Sequence, residues 1–312
     1  MAPSTGSDIP AAPVPVLLSV ILVAYDRFDL LEEALASLHA HPPSFSWEAI
    51  VVDNASREDA AAFIAPRFPG VVVLRNEANE GFGRANNRGA ARARGKYLLF
   101  LNSDAEALPG TLATMVARME GEPDIGILGP LTLNPDGSFQ LSYGRPISLA
   151  GEWYQKVVAP RWETRRFGHP PARSLRFEPG WVSGSCLLTR RELFPGGAVF
   201  DPRMFLYFED HELCLRVRAL GHRVVFDSTA AVIHHGGGSM ASMHDRVTLE
   251  YRRSQLLLYR LRGGWGQLFA LRLYLTARFG LDWLTCGFTR ARTPRRRLCL
   301  QLLRLAWSEI PC

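Results

Sequence analysis

Four apolar runs separated by segments of helical period dominate the first hundred residues, and they constrain the fold more than any other feature. The runs are Leu17 to Ala24, Glu48 to Val52, Val71 to Arg75 and Tyr97 to Leu101. Between them, the apolar spacing predicts helices over Phe28 to His39, Asp59 to Arg67 and Gly83 to Arg94. This βαβ alternation predicts an α/β fold with a mostly parallel central sheet flanked by helices.

Polar residues follow each predicted strand at the point where it ends. They are Tyr25 and Asp26, Asp53 and Asn54, Asn76 to Gly81, and Asn102 to Asp104. In open α/β sheets, ligands bind beyond the carboxyl ends of the strands. We therefore expect a binding site at this edge of the sheet.

The periodic pattern weakens after a predicted helix over Gly110 to Met119 and returns near residue 182. For 131–176, which is rich in Gly, Pro and aromatic residues, we expect loops and short strands that form an acceptor-side lid. The next predicted elements are a strand over Val182 to Thr189, a helix over Phe208 to Leu220, and strands over Arg223 to Phe226 and Ala231 to His234. From Val247 onward we expect two or three helices, with breaks at Gly263-Gly264 and Pro294.

Several protein classes are excluded by composition. The five cysteines contain no CxxC pair, which fits neither a disulfide framework nor a zinc site. The longest apolar stretch near the C-terminus, Trp265 to Phe288, is interrupted by Arg272, Arg278 and Asp282, so no transmembrane helix is predicted. Residues 1–15 lack the basic and apolar regions of a signal peptide. We expect a flexible leader on a cytoplasmic protein.

Positive charge is concentrated at the C-terminus. Residues 251–312 contain twelve Arg and two acids, which gives about +10 and leaves about −4 for the rest of a chain whose formal net charge is +6. A basic extension of this kind meets phosphate or anionic lipid. A nucleic-acid partner is not expected, because no nucleic-acid-binding module is recognised in the sequence. The sequence divides into the leader, a catalytic domain over 16–250 and a basic helical extension over 251–312.

Three clusters contain residues suited to catalysis. Asn102-Ser103-Asp104 follows an apolar strand, where a carboxylate either holds a divalent cation or caps the next turn. Glu209, Asp210 and Glu212 begin a predicted helix, where acids complement the helix dipole. The alternative is that one of these acids, with a pKa raised by its neighbours, removes a proton from an acceptor hydroxyl.

The third cluster is a histidine pair at the end of a predicted strand. His234 and His235 precede three glycines and then Ser239. A histidine here is either a metal ligand beside a mobile loop or a structural loop residue. The glycines lack the lysine and the spacing of a P-loop.

Seven motifs occur in an order that resembles the family 2 inverting glycosyltransferases of the GT-A fold. They are SVILVAYDR, VVDNAS, NEGFGRANNRG, YLLFLNSDA, GWVSGSCLLTRREL, FDPRMFLYFEDHELCLRVRALG and AVIHHGGGS. The resemblance spans roughly residues 17–255 and is strongest to the branch of rhamnosyltransferases and mycobacterial-type galactofuranosyltransferases. It implies a GT-A fold with a C-terminal helical extension.

The resemblance also implies a donor site. In it, Asp53 reads the pyrimidine edge of the nucleotide. The other implied donor-binding residues are Tyr25, Asp26, Asn79, Gly81, Asn87 and Ser103. Asp104 ends the DxD-type motif and, with His234, is an implied ligand of Mg²⁺ or Mn²⁺. Asn102 stands at the first position of that motif, so the sequence here is NSD.

On the acceptor side, the resemblance assigns the general base to Asp210. Glu209 and Glu212 would tune or orient it, and Trp181, Gly184, Ser185 and Glu212 lie on the acceptor side. A single base without an enzyme nucleophile implies single displacement and inversion at the anomeric carbon. The expected reaction is transfer of a sugar, rhamnose from dTDP-rhamnose above all, to a hydroxyl of a glycan or a polyprenyl-diphosphate-linked glycan.

Three alternatives remain at this point. A galactosyl or N-acetylglucosaminyl transferase with a UDP-sugar donor would have the same motifs, because uracil and thymine present the same edge to Asp53. A non-catalytic scaffold that binds sugar nucleotides or glycans would keep the fold. In the extension, Leu268, Leu271, Leu275, Phe279, Leu298, Leu302 and Leu305 recur at helical spacing. These helices either pack on the catalytic domain or on a second subunit of a homodimer, or lie on an anionic membrane as a peripheral anchor.

Overall fold

A computed structural model describes residues 15–168, 174–236, 244–286 and 293–309 of the chain. The predicted glycine-rich segment 237–239 and nearly all of the predicted leader lie outside these residues. The described strands are β1 (Leu18–Ala24), β2 (Trp47–Asp53), β3 (Val72–Arg75), β4 (Tyr97–Leu101), β5 (Ala105–Ala107), β6 (Ile125–Leu133), β7 (Phe139–Gln140), β8 (Tyr143–Gly144), β9 (Arg176–Phe177), β10 (Trp181–Val182), β11 (Cys186–Arg190) and β12 (Arg223–His234).

Helices cover the sheet and build the C-terminal part of the chain. They are α1 (Phe28–Ala40), α2 (Ala60–Ile64), α3 (Phe82–Arg92), α4 (Thr111–Gly121), α5 (Leu149–Val157), α6 (Ala159–Phe167), α7 (Glu209–Ala219), α8 (His244–Leu258), α9 (Gly264–Thr285) and α10 (Thr293–Trp307). A π-helical turn, Tyr259–Gly263, joins α8 to α9. Among the described residues, no helix is both long and apolar enough to cross a bilayer.

The main sheet has the strand order β3-β2-β1-β4-β11-β6-β12-β5. Its first four strands are mutually parallel, as the βαβ pattern predicts. β11 then runs antiparallel to both β4 and β6, and the short β5 pairs antiparallel with β12. The predicted fold class is therefore confirmed. Since β1, β2 and β4 are parallel, their carboxyl ends and the residues that follow them meet at one edge of the sheet.

The structure differs from the sequence prediction in three places. Residues 131–176 contain two nine-residue helices, α5 and α6, where loops and short strands were expected. The strand predicted over 182–189 is two strands, β10 and β11, separated by a turn at 183–185. The two strands predicted within 223–234 are one strand, β12, whose pairing with β6 shifts register between Asp227 and Ala231.

The C-terminal helices pack on the catalytic part through the apolar stripe seen in the sequence. Leu271, Leu275, Phe279 and Leu302 are buried in one cluster with residues of α8, and the same cluster contains Met204 and Phe208 from the segment before α7. Packing on the catalytic part is therefore the observed role of this stripe. The boundary predicted at residue 250 falls inside α8, which runs from 244 to 258 without a break.

Candidate active site

A cleft of about 480 Å³ opens at the carboxyl edge of the parallel strands. Its walls bring together residues from the ends of β1, β2 and β4, the turns before α3 and α7, the end of β12 and the first turns of α8. Ten of the predicted site residues line it: Tyr25, Asn79, Gly81, Ser103, Asp104, Gly184, Ser185, Glu209, Asp210 and His234. Residues separated by up to 209 positions in sequence thus share one cavity, as the strand-end argument predicts.

Asp104 and His234 form a pair on one side of the cleft. The antiparallel pairing of β5 with β12 sets His234 opposite Ala105, and the His235 amide donates to the Asp104 carbonyl. As a result, His234 Nε2 lies 3.2 Å from Asp104 Oδ1. Burial would raise the pKa of Asp104, but hydrogen bonding to His234 and the charge of both histidines lower it below its usual value. Asp104 is therefore a carboxylate at neutral pH.

The tautomer of His234 is set by Gln140 on β7. The Gln140 amide nitrogen donates to Asn134 Oδ1 (2.9 Å) and to the His234 carbonyl (3.0 Å), which directs its oxygen towards the imidazole. That oxygen lies 2.7 Å from His234 Nδ1. Because an amide oxygen only accepts, Nδ1 must donate, and Nε2 is the ring nitrogen that faces Asp104 and the Asn102 side-chain amide, each at 3.2 Å.

Asp210, in the first turn of α7, is held as a carboxylate by three donors. Its Oδ2 accepts from the Gly184 amide (3.0 Å), and its Oδ1 accepts from the His211 amide (2.8 Å) and from His211 Nδ1 (2.7 Å). Burial would raise the pKa of Asp210, but the His211 charge and these hydrogen bonds lower it. The Trp181 ring stacks on His211 with centroids 4.0 Å apart. The base candidate is therefore fixed in place and ionised.

Glu209 lies next to Asp210 in an opposite electrostatic environment. Its side chain is buried, and its Oε2 has no hydrogen-bond partner among the described residues. Burial raises the pKa of Glu209 well above its usual value, and the charge of Asp210 raises it further. Of the two acids, Glu209 thus has the raised pKa and Asp210 has the lowered pKa.

The turn that delivers both acids has an uncommon backbone. Tyr207 and Phe208 are consecutive non-glycine residues in the left-handed region, with φ of 67° and 66°. Such conformations persist only where the surrounding structure enforces them. Here the Ser254 hydroxyl of α8 donates to the Leu206 carbonyl (2.9 Å), and the Tyr251 ring contacts both aromatic rings. The extension therefore supports the turn from behind.

One wall of the cleft is a polar turn organised by Asn54. Its Nδ2 donates to Asn79 Oδ1 (3.0 Å), and its Oδ1 accepts from the Glu80 amide (3.0 Å) and from Asn76 Nδ2 (2.9 Å). At Gly81, φ is +83°, and an added Cβ would lie 2.2 Å from the Phe205 carbonyl oxygen. Only glycine allows the turn to approach the Phe205 backbone this closely.

Two predicted donor residues lie beside the cleft without lining it. Asp26 accepts from the Arg57 amide and, at 3.0 Å, from Arg57 Nε. Asp53 is buried; its Oδ1 accepts from the Ser56 amide, and its Oδ2 forms an ion pair with Arg75 at 3.3 Å without hydrogen-bond geometry.

Three other predicted residues also lie outside the lining. Asn87 exchanges hydrogen bonds with the backbone of Phe200. The Trp181 ring stacks on His211, which hydrogen-bonds Asp210. Glu212 faces away from the cleft, and its buried carboxylate binds Arg216 on α7 and, at 2.7 Å, Arg262 of the π-helical turn.

Sequence reasoning assigned no role to several cleft residues, among them Phe205, Tyr207, Arg246 and Glu250. Arg246, in the first turns of α8, lies with its guanidinium carbon 5.0 Å from the centroid of the Phe205 ring. The aromatic run before the acids was the available signal for Phe205 and Tyr207. Nothing local distinguishes Arg246 from the other arginines after residue 244, because its place depends on the packing of α8.

Comparison with known proteins agrees with this architecture. The model of the family described as Glycosyl transferase family 2 matches residues 19–196, more than half of the chain. The chain belongs to glycosyl transferase family 2. It is an enzyme of that family, and the resemblance inferred from the seven motifs is confirmed.

Among curated relatives, an N-acetylglucosaminyl-diphospho-decaprenol L-rhamnosyltransferase of Mycobacterium tuberculosis is 30% identical over 269 residues, covering 80% of this chain and 86% of the relative. The O-antigen biosynthesis protein RfbC of Myxococcus xanthus is 30% identical over 71% of this chain, which matches only 17% of that longer protein.

Solved structures of glycosyltransferases share the fold. The mannosyltransferase PcManGT of Pyrobaculum calidifontis, in complex with GDP-Man and Mn²⁺, has a TM-score of 0.57 at 14% identity and covers 95% of this chain and 90% of its own. TarS residues 1–349 of S. aureus in complex with UDP-GlcNAc has a TM-score of 0.55 at 16% identity and covers 95% of this chain and 82% of its own. These likenesses establish the GT-A architecture.

Proposed function

We propose that this family 2 glycosyltransferase transfers rhamnose from dTDP-rhamnose to a hydroxyl of a polyprenyl-diphosphate-linked glycan, by a single inverting displacement. The observation that carries the proposal is that an ionised Asp210 and the Asp104–His234 pair line one cleft. Asp210 can activate a hydroxyl, and the Asp104–His234 pair can hold the cation that a nucleoside diphosphate requires. The M. tuberculosis relative, whose name gives both a rhamnosyl transfer and a diphospho-decaprenol acceptor, supports this choice of sugar and acceptor.

The residues present fit a divalent metal. Two ligands at neighbouring positions of an octahedral Mg²⁺ with bonds of 2.0–2.1 Å lie about 3 Å apart, and Nε2 of His234 lies 3.2 Å from Oδ1 of Asp104. A cation at this position would bind the Asp104 carboxylate and the Nε2 lone pair of a neutral His234. A Mg²⁺ or Mn²⁺ held there would neutralise the charge that develops on the diphosphate as the sugar leaves.

Asp53 supports a pyrimidine donor. Its Oδ2 is buried and forms an ion pair with Arg75 at 3.3 Å, but it has no hydrogen bond among the described residues. A buried acceptor without a hydrogen bond costs free energy. The ring N–H of thymine or uracil would supply that hydrogen bond. Asn54, the next residue, lines the cleft and anchors the turn that includes Asn79 and Gly81. The nucleotide then lies between the ends of β2 and β3.

Asp210 is the proposed base. Three hydrogen-bond donors keep it ionised, whereas the raised pKa of Glu209 keeps that acid protonated. Deprotonation of the acceptor hydroxyl by a positioned carboxylate contributes typically about 10²–10⁴-fold. Because no enzyme nucleophile is assigned, the hydroxyl attacks the anomeric carbon directly and inverts it.

The extension supplies a surface for a membrane-bound acceptor. Apart from its buried stripe, it exposes Trp265 (81%), Phe269 (42%) and Trp307 (48%). Their rings contact one another, and the Arg272 guanidinium lies over Trp307. Aromatic rings and arginines of this kind suit the interface of an anionic bilayer. We therefore place the enzyme at the membrane as a peripheral protein.

The deciding experiment is a donor screen with purified protein. dTDP-rhamnose, UDP-galactose, UDP-N-acetylglucosamine and GDP-mannose are supplied with Mg²⁺ or Mn²⁺, and release of the nucleoside diphosphate is measured with and without a polyprenyl-diphosphate N-acetylglucosamine acceptor. Acceptor-stimulated release from dTDP-rhamnose alone is expected. Stimulated release from a UDP-sugar instead would reassign the donor, and no release from any donor would support a binding scaffold.

A further inference from the structure

Two exposed tryptophans lie on α5 and α6, the helices that the sequence pattern did not predict. Trp153 is 61% exposed and Trp162 is 60% exposed, and the Val157 side chain between them is also exposed. No residue of α5 is buried, although Trp153 and Val157 are one helical turn apart. Large aromatic side chains left this open on consecutive helices mark an interaction surface.

The exposed cations of this surface are Lys156, Arg161, Arg165 and Arg166. Lys156 forms an ion pair with Glu152 and Arg166 with Glu163, each at 3.4 Å. Arg161 and Arg165 have no ion pair among the described residues. The α5–α6 surface, defined by Trp153, Val157, Trp162, Arg161 and Arg165, is therefore both aromatic and positive.

The surface is connected to the base side of the cleft. The Gln155 amide of α5 donates to the Tyr143 carbonyl of β8 (2.7 Å), and β8 pairs with β10 at Trp181. The Trp181 ring stacks on His211, which holds Asp210. A molecule bound to the α5–α6 surface therefore lies on the side of the protein from which the acceptor is proposed to come.

We propose that the α5–α6 surface contacts an anionic lipid bilayer, with Trp153 and Trp162 at the headgroup level and Arg161 and Arg165 against lipid phosphates. Tryptophan is favoured at membrane interfaces, and each cation near an anionic surface contributes about fivefold in affinity. A second copy of the chain fits poorly, because a two-fold interface would set this positive patch against itself. The inference rests on the proposed function for its lipid-linked acceptor, and it adds a second membrane contact outside the extension.

The test is co-sedimentation of the full chain with vesicles of phosphatidylcholine, with and without phosphatidylglycerol. Two double variants address the surface, Trp153→Ala with Trp162→Ala and Arg161→Gln with Arg165→Gln. Trp265→Ala with Trp307→Ala probes the extension separately, and Arg92→Gln, an exposed arginine at the end of α3, is the control. We expect the Arg161/Arg165 variant to lose about 25-fold in affinity for anionic vesicles, the Trp153/Trp162 variant to lose at least several-fold, and the control to bind as wild type.

Wild-type binding by both α5–α6 variants, with unchanged circular dichroism and thermal unfolding, would overturn the proposal. Loss of a dimer by light scattering, without loss of vesicle binding, would overturn it in favour of a second copy. Nucleotide-sugar hydrolysis in vesicle-free buffer separates this inference from the proposed function. Both α5–α6 variants are expected to hydrolyse the nucleotide sugar as the wild type does. A wild-type protein that binds vesicles but releases no nucleotide would contradict only the proposed function.

Discussion

His234 Nδ1 donates a hydrogen bond of 2.7 Å to the amide oxygen of Gln140, and this contact leaves Nε2 facing Asp104. Groups that orient a metal-binding histidine typically contribute about 10–100-fold to metal affinity. We expect Gln140→Leu to weaken Mn²⁺ binding by that factor in an electron paramagnetic resonance titration. Gln155→Leu, which removes a glutamine hydrogen bond outside the cleft, is the control. Equal Mn²⁺ affinity in the two variants would show that Gln140 only joins β7 to β12.

Asp104→Ala should abolish metal-dependent binding of the nucleoside diphosphate. A carboxylate on Mg²⁺ or Mn²⁺ is poorly replaced by water when the diphosphate must also be held. Calorimetry of dTDP binding with and without metal measures the effect. Glu106→Gln, which removes a carboxylate bound to His235 outside the cleft lining, should keep the wild-type metal dependence. A metal effect that survives in Asp104→Ala would refute the ligand assignment.

Asp210→Asn should lower kcat by about 10²-fold or more and change donor affinity little, because a general base acts on the acceptor hydroxyl in the transition state. Steady-state kinetics with the acceptor and calorimetry with dTDP separate the two effects. Glu209→Gln and Glu212→Gln should have milder effects on kcat. If Asp210→Asn retains near wild-type turnover while Glu209→Gln loses it, the base is Glu209.

Glu209→Gln should stabilise the protein, and the gain should grow as pH rises above the ordinary pKa of glutamate, until pH passes the raised folded-state pKa of Glu209. The folded-state pKa of Glu209 is raised by burial and by Asp210, so above the ordinary pKa of glutamate the folded protein must retain a proton that the unfolded chain has released. That cost increases with pH, and glutamine removes it. Scanning calorimetry across this range measures the difference in Tm.

Glu212→Gln is the contrasting variant for that measurement. Its carboxylate is equally buried, but it is bound by Arg216 and Arg262. Removing one member of such a network leaves charges without their partner, and we expect a loss of about 1–3 kcal/mol in the free energy of unfolding. A stabilising effect of both substitutions would contradict the distinction drawn between the two acids.

Gly81→Ala should disrupt the cleft, because the new Cβ would lie 2.2 Å from the Phe205 carbonyl oxygen. The turn before α3 and segment 205 would then have to separate, which displaces Asn79. Gly110→Ala is a matched control, since Gly110 has a similar φ of +79° with no atom within 4 Å of the added Cβ. Both variants should lose stability from backbone strain, and only Gly81→Ala should also lose dTDP affinity in calorimetry.

The sheet and the strand-end residues were predictable because their signal is local. Apolar runs identify β1, β2 and β4, and parallel pairing then brings the residues after each strand to one edge. Helix α5 was missed although Leu149, Trp153 and Val157 recur at helical spacing, because the helix has only nine residues and none of them is buried. A second local signal is Ser148, whose side chain accepts from the Gly151 amide as an N-cap.

The rest of the site depends on contacts between distant parts of the chain. Asn87 has the polar character of a ligand-binding residue, but its partner is the backbone of Phe200, 113 positions away. Tyr207 and Arg246 reach the cleft because α8 packs behind the turn before α7. Periodicity and motif order do not report such contacts, so these positions could not be assigned from the sequence.

The turn that presents Asp210 is held by residues of the C-terminal helices, through Ser254 and Tyr251 behind it and through Arg262 on Glu212. The catalytic part and the C-terminal helices consequently act as one functional unit. Exchanging the C-terminal helices between relatives would therefore change the turnover number as well as any membrane binding. A chimaera that retains every motif of the catalytic part would still need α8 and the π-helical turn of the same parent protein.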